Sequence, residues 1–259
     1  MNIELFKLIA FFAIFIAGMT GGLVSKWLSS SSKSKTIFSL GNVFAGGVFL
    51  GAGFIHMLPD AQSGFAAITK GADYPWFALV CCAGFLFILM LERVLLPHQH
   101  EAAPKATSEK KILYPLILMF ILSIHSIIAG IALGIEERIT QAIVILFAVL
   151  AHKGTAAFAL GISMLRSKME RRKFFTFIAF FSFMTPLGLF LGYLFSIWLS
   201  GSAEQIFEAV FDALAAGTFI YIAIFDILNE EFTSKRKNLL KFALVLAGLG
   251  IMALVAVWT

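Results

Sequence analysis

Charge is scarce in this chain. Asp, Glu, Lys and Arg make up 14% of its 259 residues, where soluble domains carry about a quarter. So little charge cannot clothe a water-facing surface, which excludes an ordinary soluble fold. Cysteine is nearly absent. The only two, Cys81 and Cys82, are neighbours inside an apolar run. Adjacent side chains on a helix point different ways, so no bridge between them is expected and the redox compartment is not readable. Long polar stretches are missing too, which leaves no room for a soluble domain of useful size. The chain also lacks the His-Glu-x-x-His and Gly-x-Ser-x-Gly patterns, which argues against an intramembrane enzyme.

What is abundant is apolar sequence. Hydrophobic residues make up 60% of the chain and the mean hydropathy is +0.93. Crossing a bilayer takes about 20 apolar residues in a helix. Eight runs meet that need, near 5–27, 36–59, 74–96, 112–134, 139–162, 174–199, 206–228 and 239–258. The expected fold is therefore all-α, a single polytopic membrane domain over 1–259 with eight transmembrane helices and the lipid bilayer as its surroundings. The first run has Lys7 near its start, but it is long and lacks a clear small-residue cleavage site, so it reads as a retained helix. A short cytoplasmic loop is expected over 97–111. Its His98 and His100 could touch a metal, though solvated loop histidines are the commoner case.

The sequence pI is about 9.3. In a membrane protein the placement of basic residues matters more than their total, so this does not indicate nucleic acid. With the amino terminus outside, sixteen of the twenty Lys and Arg fall on the cytoplasmic side and three outside. That asymmetry predicts both termini on the non-cytoplasmic side.

Two matching ten-residue stretches stand out. One runs from His125 through Ala129 and Ala132 to Leu133-Gly134. The other runs from His152 through Ala156 and Ala159 to Leu160-Gly161. On a helix i, i+4 and i+7 share a stripe, so each stretch sets a histidine above two small residues. Both histidines sit about 13 residues into their spans, which at about 1.5 Å per residue places them near the midplane. Polar groups are costly there, and two in one frame on antiparallel helices suggest a cation site. A neutral imidazole suits zinc and its transition-series neighbours. The plainer reading is a pair hydrogen-bonded for packing.

Other polar residues extend this pattern. Lys153 follows His152 and is too deep to snorkel, so it needs a partner, and Asp212 is a candidate. It could act as a tethered cation in place of a second metal. His56 and Asp60 share a face where span 2 ends, and could collect and partly dehydrate a cation or simply cap the helix. Span 7 carries Glu208 and Asp212 in its outer half. At its inner end Asp226, Glu230 and Glu231 could form an exit region or balance the basic residues that follow. Gly130 and Gly134, and Gly188 and Gly192, have the spacing of close helix contacts. Whether those serve one chain or a homodimer is open.

Taken together, these residues resemble the ZIP (Zrt-, Irt-like) metal transporter family. The likeness covers nearly the whole chain. It is carried by the run Gly46 to Asp60, by His125-Ser126 with Gly130 and Leu133-Gly134, and by His152-Lys153 with Phe158 to Gly161. Met184-Thr-Pro-Leu-Gly188 and Ala215-Ala-Gly-Thr-Phe219 match the branch that has His-Lys in the fifth helix. The resemblance implies transport of zinc, or of iron or manganese, into the cytosol. It implies a metal site between helices four and five with His125, Ser126 and His152 as site residues, and an elevator-like or rocking movement. No permanently bound cofactor is implied; the ion is the substrate. Two positions depart from the family's pattern. Ala129 and Ala156 stand where relatives carry acids, which leaves the site poor in ligands. Water, Ser126 or Asp212 could complete it. The alternative is a transport-deficient relative acting as a metal sensor or membrane partner.

Overall fold

A computed structural model of the chain describes residues 2–31, 34–69, 74–95, 108–198, 202–233 and 237–257. Among the described residues, eight helices are long and apolar enough to cross a membrane. They are α1 (Ile3–Leu28), α2 (Ser34–Ile68), α3 (Trp76–Val94), α4 (Pro115–Ile135), α5 (Ile139–Arg166), α6 (Arg171–Phe195), α7 (Ala209–Phe232) and α8 (Asn238–Val255). No described residue is in a strand. The chain is an all-α, multi-pass membrane protein.

Local chemistry explains several helix boundaries. Asn2 caps α1 by accepting the Glu4 backbone N–H, which satisfies a donor that the first turn cannot. Pro75 stands just before α3, where a missing N–H costs nothing. The expected second span stopped at Pro59, yet α2 runs on to Ile68. The helix absorbs the proline by widening into a π-turn over Ala52–Met57 just before it. Such a turn relieves the clash and the lost bond that proline brings to a helix interior. π-turns also end α3, at Met90–Leu95, and interrupt α7, at Ile222–Leu228, which contains Asp226. The helical run leading into α4 begins at Ser108, so the last residues of the expected 97–111 loop are helical. The rest of that loop, with His98 and His100, lies outside the described residues.

The spans form two bundles. One packs α4 on α6 and α1 on α5 and α6; the other packs α2 on α8 and α3 on α7. Glycines close these pairs. A Cβ on Gly130 would strike the Thr185 carbonyl, and one on Gly188 would strike the Ile127 carbonyl. Thus the two glycine pairs expected at close contacts pack against each other within one chain. Gly47 and Gly248 do the same for α2 and α8, and Gly84 and Gly217 for α3 and α7. Lipid tails are as apolar as leucine, so close backbone approach and dispersion must supply the adhesion. Between the bundles runs a seam where α2 meets α5 and α4 meets α7.

Candidate metal site

α4 and α5 are consecutive, joined by residues 136–138, and their hairpin brings the two histidines face to face. The Nε2 atoms of His125 and His152 are 3.4 Å apart. Both rings are buried, at 6% and 4% exposure. That spacing suits a proton shared between the rings. It also suits a metal: zinc–nitrogen bonds of about 2.0–2.1 Å at a tetrahedral angle hold two nitrogens about 3.3–3.4 Å apart.

The repeated frame is not matched by equal surroundings. On α5 His152, Ala156 and Ala159 are all buried, while on α4 Ala129 and Ala132 are only half-buried. Ala156 belongs to the central apolar core together with Phe219. Ala129 packs against a separate buried cluster that includes Leu133, Val149 and Leu189.

Lys153 is 2% exposed. Its ammonium donates to Ser126 Oγ and to the Phe181 carbonyl, each at 2.9 Å, and stands 3.7 Å from the centre of the Phe181 ring. These groups, and not Asp212, are its partners. A carbonyl keeps a second lone pair beyond its helical bond, and an aromatic face attracts a desolvated cation. Two acceptors and a ring can thus replace the expected carboxylate. Ser126, expected at the metal, spends its oxygen partly on this lysine.

His56 and Asp60 come together as their spacing predicts, with Nδ1 and Oδ2 3.0 Å apart. Asp60 is exposed and His56 is half-buried. The His56 ring centre is 6.5 Å from that of His152. A path of rings thus leads from the exposed carboxylate to the buried pair. Asp212 and Asp226 both lie half-buried on α7, and the side chain of Glu208 lies outside the described residues. Among the described residues, no group of three or more His, Cys, Asp or Glu gathers to hold a metal. The site amounts to two nitrogens.

Two features were missed in the sequence. Phe219 reaches across the seam from α7 with no exposure. Its ring centre lies 4.7 Å from that of His125 and 6.2 Å from that of His152, edge-on to both. Its only signal was membership of the Ala215 to Phe219 run. The second feature is at one end of the seam. Arg166 of α5 reaches Glu230 at 3.0 Å and Glu231 at 2.5 Å on α7. Glu231 also accepts from Asn42 of α2 at 3.0 Å, and its carbonyl accepts from Lys241 of α8. The inner acids were expected to form an exit or to balance the 235–237 basic run. Glu230 and Glu231 pair with Arg166; Lys235 and Arg236 lie outside the described residues.

A family profile described as ZIP Zinc transporter matches residues 4–114 and 97–256. Human "Zinc transporter ZIP1" is 28% identical over 257 residues, covering 86% of this chain and 79% of the relative. Mouse "Zinc transporter ZIP2" is 27% identical over 281 residues, covering 90% of each. "Zinc transporter 11" of Arabidopsis thaliana is 30% identical over 277 residues, covering 96% of this chain and 83% of the relative. All three are named as transporters and none as an enzyme.

Proposed function

The chain belongs to the ZIP zinc transporter family, and from that premise we propose that it carries divalent metal ions, zinc first, across a membrane into the cytosol. The observation that carries this reading is the 3.4 Å separation of the His125 and His152 Nε2 atoms, which fits two ligands of one tetrahedral ion. The ion is cargo and not a resident cofactor; iron and manganese are the other candidates. Both termini lie on the non-cytoplasmic side, as the distribution of Lys and Arg supports. On that orientation Asp60 and His56 form the outer mouth. They gather the ion and begin its dehydration, and His152 and His125 receive it. Water and Ser126 fill the remaining coordination. Asp212 and Asp226 line the path on the α7 side. Two imidazoles hold a cation weakly, and Lys153 repels it, so the ion leaves readily. Fast release is what a carrier needs.

A second reading is favoured by Ala129 and Ala156, which offer no ligand where an acid would strengthen the site. On that reading the chain binds metal without moving it and acts as a sensor or membrane partner. Radiolabelled zinc uptake separates the two. Cells expressing the parent should accumulate zinc above background, and His125→Ala and His152→Ala should each return uptake to background. Equal uptake by the parent and both variants would sink the path. Binding without uptake would select the sensor.

A further inference from the structure

We infer that Phe219 decides which ion the histidine pair accepts, by limiting how many ligands that ion can gather. The inference rests on the proposed passage of a divalent ion through the pair, and adds its selectivity.

The pair belongs to one bundle and Phe219 to the other, so the ring forms the wall that the pair faces across the seam. It touches both imidazoles edge-on, at 4.7 Å and 6.2 Å between ring centres. It is fully buried and backed by Phe49, whose ring centre is 4.9 Å away. A packed ring with a second ring behind it does not swing aside at small cost. Carbon therefore occupies one flank of any ion held between the two Nε2 atoms. No carboxylate joins the pair among the described residues, so water, with Ser126, must supply the rest of the coordination.

Ions differ in how much water they need to keep. Zinc is satisfied by four ligands in a tetrahedron, here two nitrogens and two oxygens from water or Ser126. Manganese favours six oxygen-rich positions and iron(II) keeps more ligands than zinc, so a six-coordinate ion would require four such oxygens around the same two nitrogens. The Phe219 ring fills part of the volume those oxygens would take and offers them no hydrogen bond. An octahedral ion thus loses ligands on reaching the pair, whereas zinc does not. Specificity here comes from an element that excludes the competitor, added to one that attracts the favoured ion.

A purely structural Phe219 would do something else. If it only held the imidazoles in place, shortening it would weaken zinc and manganese alike. The test is equilibrium dialysis of the purified full chain in detergent against radiolabelled zinc and, separately, manganese. The set comprises the parent, Phe219→Ala, Phe219→Leu and the His125→Ala/His152→Ala double variant. The zinc-over-manganese ratio should fall about tenfold in Phe219→Ala and about threefold in Phe219→Leu, with zinc affinity changing less than about threefold. An unchanged ratio in both variants, or parallel loss of both metals, overturns the inference and leaves the proposed passage standing. Zinc binding by the parent that survives loss of both histidines, or no zinc binding by the folded parent, overturns the passage and the inference together. Leucine keeps an apolar side chain at the site, so it alone decides the matter if the alanine variant does not fold.

Discussion

The seam between the two bundles is polar at its middle and at one end, and the two places follow opposite plans. At the end, opposite charges meet. Arg166 faces Glu230 and Glu231, and Asn42 completes the carboxylate. In the middle, Lys153 is fully buried and held by a hydroxyl, a carbonyl and a ring. Beside it two imidazoles face each other with no acid among the described residues to join them. An ion pair in a poorly polar setting ties elements together, because removing one partner strands the other. A lone cation beside a neutral donor pair ties nothing across the seam. It biases whatever charge arrives. The end of the seam reads as fastening and the middle as a working site.

The largest effect expected from breaking this comparison is at the end. Arg166→Met strands the nearly buried Glu231 and should cost about 2 kcal/mol of stability, after allowance for the half-exposed arginine. Thermal unfolding in detergent measures it. In a double-mutant cycle, Arg166→Met with Glu231→Gln should show coupling of about 1 kcal/mol. Additive losses would mean that the end is not a fastening.

The middle should respond the other way. Lys153→Met keeps the length and apolar bulk of the side chain and removes its charge. Replacing a buried charge by an apolar group is often neutral for stability, so unfolding should shift by less than about 1 kcal/mol. Zinc affinity should rise about fivefold once the fixed positive charge is gone, while release slows. Equilibrium dialysis and zinc efflux from preloaded vesicles read the two effects. A destabilised protein with unchanged affinity would make Lys153 a packing residue.

The smallest effect probes the repeat. Ala129→Glu adds a carboxylate one turn from His125, but Ala129 packs into a different buried cluster from the one that holds Ala156 and Phe219. Zinc affinity should change by about threefold or less. At Ala156, which lies in the core with Phe219, the same change should have the larger effect on zinc affinity. Equal responses would show that the two halves of the repeat have equivalent surroundings after all.

Much of this protein was legible in its residues. The eight spans could be counted because lipid demands long apolar helices and punctuates them with charge. Pro59 misled at one boundary, because a π-turn lets α2 continue past it. His125 and His152 announced themselves because a midplane polar group is costly and the same frame occurs twice. His56 and Asp60 met because i, i+4 neighbours share a helix face. The partner of Lys153 was not legible, since a backbone carbonyl on α6 has no signature in sequence. Nor was Phe219, one of 29 phenylalanines in the chain.

By itself, then, the sequence determined the membrane setting, the number and periodicity of the helices, and which polar residues needed a reason to exist. These are local matters, decided by about 20-residue runs and helical spacing. The tertiary structure alone decided which four helices form each bundle. It also decided that Phe219 and not a carboxylate faces the histidine pair, and that Arg166 finds its acids across the seam. Those outcomes depend on side chains far apart in the chain, brought together by close glycine contacts whose pairing no local pattern specifies.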